Sequence, residues 1–307
     1  MNAPPRVVIA TRESPLALWQ AEHVRGLLMS QHADLRIELL GMTTLGDRIL
    51  DRPLSKEGGK GLFVKELEHA LLDGRAQLAV HSLKDVPMQL EPQFTLAAVL
   101  KREDPRDCLV STRYAALEEM PAGARIGTSS LRRELMLRAR FSQLAIHSIR
   151  GNVGTRLAKL DRGDFDGLVL AAAGLKRLGY AERIRQIIPT DVSLPAPGQG
   201  ALGIEVRSDD ASTAALLAPL NDPAARAATT AERGVSRGLG GSCQVPLAAY
   251  AEVEGDALRL RAIVGRADTG EYVHTEVVGT LREPEALAQE AVQKLSQLGA
   301  LQLLSTV

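Results

Sequence analysis

The sequence predicts an α/β protein of two similar lobes followed by a small α+β domain. Three observations carry that expectation. Short apolar runs alternate with amphipathic stretches through the first hundred residues, as strands and their covering helices do. The pattern stops at the charged, proline-bearing segment Lys101–Asp107 (KREDPRD) and begins again near Ala124. Beyond Asp222 the texture changes to three long alternating segments, the two-residue period of antiparallel strands with one buried face. The 307 residues are also too many for one ordinary domain and suit two or three.

The first lobe opens with a buried strand at Val7–Ala10. Ser14-Pro15 then supplies an N-cap and a proline for the first helical position, and Ala17, Ala21, Val24 and Leu28 follow on one helix face. Ile37–Leu40 is a second strand. Phe63, Leu67, Ala70 and Leu71 mark another helix, with Gly74 as its stop, and Leu78–His81 and Thr95–Leu100 complete the strands. In the second lobe Ala124–Gly127, Ala145–Ile149 and Gly167–Ala171 read as strands. Thr128-Ser129-Ser130 opens a helix through about Arg140, and Val153, Leu157 and Leu160 face a core. Ile9-Ala10-Thr11-Arg12 resembles Ile126-Gly127-Thr128-Ser129, and His81-Ser82-Leu83-Lys84 resembles His147-Ser148-Ile149-Arg150. Two related lobes would leave such echoes.

Pro189–Pro197 is a second proline-rich crossing, and the strand-like GQGALGIEV after it returns to the first lobe. Asp222-Pro223 opens a helix to about Arg237. Leu247–Val253, Ala257–Val264 and Tyr272–Val278 are the antiparallel strands, with a tight turn at Gly255-Asp256, and Leu287, Ala291 and Leu295 mark a closing helix. The implied domains are residues 1–100 with 200–219, residues 105–195, and residues 222–307.

Composition narrows the function classes. Lys plus Arg and Asp plus Glu both number 37, whereas a nucleic-acid binder carries a basic excess. Aromatic residues are 3% of the chain, too few for base-stacking platforms. The two cysteines, Cys108 and Cys243, make no disulfide framework, and no closely spaced Cys/His set suggests a metal. No apolar run approaches the ~20 residues that span a bilayer, and the N-terminus does not read as an export signal, so the expected location is the cytoplasm.

Local chemistry concentrates at strand ends. Asp85 follows a buried apolar run in HSLKDVP, where ligands of α/β domains dock. Beside Lys84 it reads either as a proton acceptor or as one half of a loop ion pair. Arg132 and Arg133 follow Thr128-Ser129-Ser130 at a helix start, which suits a carboxylate or phosphate. Arg150 and Arg156 flank the next turn, and Arg12 and Ser14 sit at the corresponding turn of the first lobe. Four turns of the same chemistry indicate a polyanion site. The Gly-rich SKEGGKGLF, carrying Lys56 and Lys60, lacks Walker A spacing and reads as a flap. Cys243 lies in the small-residue loop GLGGSCQVP, open to a bulky group, and is either a covalent anchor or an ordinary buried cysteine. Cys108, in the apolar DCLV, reads as structural.

The segments ATRESPLALWQ, KEGGKGLFVKELE, HSLKDVP, REDPRD, GTSSLRR, RGNVGTRL, AAAGLKRLG, LPAPGQGALGIE and GGSCQVP together resemble the porphobilinogen deaminase (hydroxymethylbilane synthase) family, in family order and across essentially the whole chain. The resemblance implies three domains. Two are α/β lobes similar to type II periplasmic binding proteins around a central cleft, and the third is a small α+β domain with a three-stranded antiparallel sheet. It implies a transferase that condenses four porphobilinogen molecules, with loss of ammonia, onto a dipyrromethane cofactor. Hydrolysis then releases hydroxymethylbilane. By the same resemblance Cys243 holds the cofactor through a thioether and Asp85 is catalytic. Cofactor binding would fall to Ser82, Lys84, Asp85, Thr128, Ser129, Ser130, Arg132, Arg133 and Arg150. Substrate binding would fall to Arg12, Ser14, Lys56, Lys60, Arg150, Arg156 and Gln199. Each pyrrole unit brings an acetate and a propionate, so many cationic and N–H donors are required. The family points to a monomer acting on a small molecule, with no metal, nucleic acid or membrane. A non-catalytic, two-lobed anion-binding protein is the competing expectation. It leaves the thiol-bearing loop and the third domain unexplained.

Overall fold

A computed structural model describes residues 6–48, 63–240 and 245–305. In chain order the elements are β1 (Arg6–Arg12), α1 (Pro15–Gln31), β2 (Arg36–Met42), α2 (Leu45–Arg48), α3 (Lys65–Leu72), β3 (Leu78–Ser82) and β4 (Phe94–Val99). There follow β5 (Asp107–Val110), β6 (Arg125–Gly127), α4 (Leu131–Arg140), β7 (Ala145–His147), α5 (Val153–Asp161), β8 (Gly167–Ala171), α6 (Ala172–Arg177) and β9 (Ile184–Ile187). The last are β10 (Leu202–Arg207), α7 (Ala211–Leu217), α8 (Pro223–Gly238), β11 (Leu247–Glu254), β12 (Ala257–Gly265), β13 (Tyr272–Thr280), α9 (Pro284–Gln297) and α10 (Ala300–Ser305). The chain divides into two compact units, Met1–Arg102 with Ala201–Arg226, and Glu103–Gly200 with Ala227–Val307.

The first unit is built on a five-stranded sheet of order β2-β1-β3-β10-β4. β1 pairs in parallel with β2 and β3, while β10 runs antiparallel to β3 and β4. Helix α1 starts where the sequence expects. The Ser14 hydroxyl accepts the Ala17 N–H at 3.4 Å, and Pro15 occupies the first turn. Its buried residues Ala17, Ala21, Val24 and Leu28 bear out the predicted face, but Gln20 is buried with them. One face of the sheet packs Ile9, Leu78, Ile204 and Val206 against α1 residues Val24 and Leu28. The other packs Val8, Ala10 and Ala79 against α3 residues Leu67, Ala70 and Leu71.

The second unit holds two sheets. One has the order β7-β6-β8-β5-β9, with β6 parallel to β7 and β8, and β5 antiparallel to β8 and β9. This is the topology of the first sheet repeated, with β6 in the place of β1 and β5 in the place of β10. The echo of Ile9–Arg12 in Ile126–Ser129 therefore joins equivalent strand ends. The echo of His81–Lys84 in His147–Arg150 joins β3 to β7, which are not equivalent, so that likeness is coincidental. The other sheet is antiparallel, β11-β12-β13, turned by Gly255 at φ 63°. Leu258, Leu260, Val264 and Val277 of this sheet pack on Ala231 and Val235 of α8 and on Leu287, Ala291 and Leu295 of α9.

Several elements lie outside what the sequence reading assigned. Asp107, taken as the end of a charged crossing, is the fully buried first residue of β5. α6, α7 and β9 have no counterpart among the expected elements; each is short, and the longest, α7, spans only Ala211–Leu217. The strand expected over 145–149 ends at His147, because the Ser129 hydroxyl takes the Ile149 N–H at 3.1 Å in place of a ladder partner.

The chain leaves the second unit through Gly200, whose φ is +89° and whose missing Cβ would lie 2.4 Å from the Glu103 carbonyl oxygen. Only glycine meets both constraints. Gly200→Ala should lower unfolding stability by ~2 kcal/mol, the scale of an L-residue forced into left-handed backbone, and urea titration of both proteins would measure it.

Candidate active site

In the first unit the predicted residues gather at the C-terminal ends of the parallel strands. Arg12 ends β1, with its guanidinium carbon 4.3 Å from the centre of the Phe63 ring. Ser14 caps α1 immediately beyond it. Ser82 ends β3, and Lys84 and Asp85 lie on the single 3-10 turn that follows, Leu83–Asp85. Asp85 is exposed and Lys84 half-buried, on a turn anchored by the apolar Leu83 and Val86, both fully buried.

The strand end that presents this turn is fixed from three directions. The buried Gln20 amide donates to the Ser82 hydroxyl at 2.8 Å. On the opposite face the buried His81 Nε2 meets Glu205 Oε2 of β10 at 2.8 Å. Along the sheet, the Leu83 N–H donates to the Ala201 carbonyl at 3.0 Å. Neither Gln20 nor Glu205 was expected from sequence, since single polar residues in helical or strand periodicity read as exposed positions.

In the second unit Thr128, Ser129 and Ser130 follow β6, and Arg150 follows β7. Ser130 caps α4 by accepting the Arg133 N–H at 3.4 Å, and the Thr128 hydroxyl accepts the Ser130 N–H at 3.2 Å. Ser129 is exposed, its hydroxyl 3.0 Å from that of Ser148. Arg150 and Arg156 are half-buried, and Arg156 Nε donates to the Gly151 carbonyl at 2.8 Å. Lys56, Lys60 and Cys243 lie outside the described residues.

Arg132 and Arg133 turn inward rather than out toward solvent. They are 4% and 6% exposed and converge on Asp107, which is 0% exposed. Arg132 Nη1 donates to Asp107 Oδ2 at 2.7 Å, and Arg133 Nη2 donates to Oδ1 at 2.8 Å. The Ser193 hydroxyl and the Gln199 amide donate to the same carboxylate, at 2.8 and 2.9 Å. Burial works against the Asp107 charge, but the two guanidinium groups and their hydrogen bonds outweigh it and hold the carboxyl well below the usual range. Asp107 is the residue that the sequence reading missed. Its neighbour Cys108 is buried, and desolvation, followed by the Asp107 charge, pushes its thiol up to about 12, so it is unreactive.

Two family models match. Residues 7–215 match the porphobilinogen deaminase dipyrromethane cofactor-binding domain, and residues 227–297 match the porphobilinogen deaminase C-terminal domain. The chain belongs to the porphobilinogen deaminase family. The porphobilinogen deaminase of Chromobacterium violaceum is 58% identical over 302 residues, covering 98% of both chains. That of Methylobacillus flagellatus is 54% identical over 307 residues, covering 100% of this chain and 99% of its own. Among solved structures, the methionine-binding protein MetQ aligns at TM-score 0.46 and 12% identity, over 71% of this chain and 90% of its own.

The family's dipyrromethane carries acetate and propionate groups, and the buried cluster suits an anion of that kind. Two guanidinium groups share one carboxylate, which leaves one positive charge uncompensated within the hydrogen-bonded cluster. Arg132 Nε, also buried, has no hydrogen-bond partner among the described residues. A buried N–H without a partner is costly, and a ligand carboxylate would satisfy it.

Removing the shared counterion should be severe. Asp107→Ala is expected to cost about 3–5 kcal/mol, because two buried charges lose their partner. Since folding depresses the Asp107 proton affinity, its contribution is present above about pH 3.9 and is lost as pH falls below that. Denaturant titrations at pH 7 and at pH 3 should therefore show the gap between wild type and variant shrinking at the lower pH.

Proposed function

We propose that Asp85 is the catalytic acid–base of this porphobilinogen deaminase and that Cys243 anchors its dipyrromethane through a thioether. The observation that carries the first assignment is an exposed carboxylate at the C-terminal end of β3, on a turn held from three directions. When bound, the cofactor supplies the pyrrole carbon to which the first substrate unit is joined. Loss of ammonia from porphobilinogen leaves a cation on its methylene-pyrrole, and a fixed carboxylate stabilises developing positive charge. Formation of the carbon–carbon bond then releases a proton, which the same carboxylate accepts. Asp85 thus serves two consecutive demands without moving.

The remaining groups bind and orient carboxylates. Arg12 and Ser14, with Ser82 and Lys84, would act from the first unit, joined by Lys56 and Lys60. Thr128, Ser129, Ser130, Arg150 and Arg156 would act from the second. Arg132, Arg133 and Gln199 support the cofactor from beneath, through the Asp107 cluster and the open Arg132 Nε. The reading divides the chain into three domains, residues 1–100 with 200–219, 105–195, and 222–307, the last carrying the anchor. It makes the enzyme a cytoplasmic monomer; among the described residues no helix is long and apolar enough to cross a membrane.

Asp85→Asn should lower turnover by at least about a hundredfold, the scale of a lost acid–base group, with the thermal transition unchanged. Turnover close to wild type removes the assignment. Intact mass of the denatured protein should exceed the chain mass by one dipyrromethane, and Cys243→Ser should abolish that excess.

A further inference from the structure

The established reaction leaves unused a second buried set of ionisable groups, His81, Glu205 and Glu68. His81 is 6% exposed and Glu205 is 0% exposed, yet they face one another at 2.8 Å within the first unit. Strand register explains the meeting. His81 on β3 lies opposite Gly203 on β10, and Glu205 is two residues along on the same face. Gly203 leaves room there for Leu83, since a Cβ at that position would lie 2.9 Å from Leu83 Cδ1. The His81–Glu205 hydrogen bond and the glycine therefore act together on the strand end that becomes the Asp85 turn. The second carboxylate oxygen, Glu205 Oε1, is buried with no hydrogen-bond partner among the described residues.

Helix α3 packs on this face of the sheet through Leu67, Ala70 and Leu71, and carries Glu68 next to Leu67 in sequence. Glu68 is half-buried, and its carboxyl is raised to about 7, first by desolvation and then by the charge of Glu205. His81 on β3 and Lys65 on α3 oppose that rise, while Glu91, in the loop before β4, adds to it.

We infer that the His81–Glu205 pair is a positioning device for Asp85. The inference rests on Asp85 being the acid–base of the reaction. A buried carboxylate with one imidazole partner locks the end of β3 to β10. Without that partner the carboxylate would be left buried and unpaired beside the residues that lead into the turn.

The test is a pH series of kcat and KM for holoenzyme carrying its cofactor, with porphobilinogen as substrate. His81→Leu removes the donor to Glu205, and its kcat should fall about 10- to 100-fold with KM within about twofold, as misplacement of a reacting group does. His81→Gln keeps a donor near the Nε2 position and should recover most of that loss. Glu68 on the neighbouring helix gives a separate reading by thermal stability. The raised Glu68 value means that the folded state holds the extra proton between pH 4.5 and about 7, so wild-type stability falls across that window and Glu68→Gln should flatten it. The inference is overturned if His81→Leu lowers only the melting temperature and leaves kcat intact. It is equally overturned if His81→Gln recovers none of the kcat that His81→Leu loses. A fully active Asp85→Asn enzyme in the same series would instead strike at the acid–base assignment itself. The two failures are therefore distinguishable.

Discussion

The architecture of the second unit turns on one carboxylate. Asp107 opens β5, is fully buried, and receives Arg132, Arg133, Ser193 and Gln199. Those partners come from helix α4, the proline-rich segment and the approach to Gly200. A single buried charge thereby pins three separate stretches of chain to β5, between β8 and β9 in the sheet. Such a cluster is a poor source of net stability, because the desolvation of three ionised groups offsets most of the Coulombic gain. What it provides is a fixed orientation for two guanidinium groups beneath the strand ends. A hydrophobic replacement of similar volume would fold as well without that orientation.

The legibility of the sequence follows the same division. Patterns that repeat over many residues were readable: the α1 face, the capping Ser14 and Ser130, the three alternating strands of the third sheet, and the return of β10 to the first sheet. The strand-end positions of Arg12, Asp85 and Thr128 were readable too, because ligand groups at strand ends interrupt an apolar run with polar residues. What stayed hidden depends on side-chain direction. Arg132 and Arg133 read as an anion site at a helix start, and nothing in a linear string pairs them with a carboxylate 25 residues away. Asp107 sat in a charged run and was assigned to a crossing. His81, Gln20 and Glu205 were invisible as partners for the same reason: sheet register brings Glu205 to His81, and the packing of α1 brings Gln20 to Ser82 at the end of β3.

The neutral composition and the polyanionic substrate are reconciled by where the charges are spent. Exposed arginines are largely matched by acids close by: Arg106 by Asp104, Arg125 by Asp166, Arg183 by Asp161, Arg259 by Glu276. Those pairs contribute little to stability in water, but they cancel field at the surface. At Asp107 two cations share one acid. A chain with an even balance of 37 basic and 37 acidic residues can thus present a local attraction for carboxylates without becoming a general polyanion binder. Each pyrrole unit added to the growing chain brings two further carboxylates. The duplicated sheet topology sets Arg12 and Ser14 at the strand ends of one unit and Thr128, Ser129 and Arg150 at those of the other, and Asp85 stands on a turn of the first.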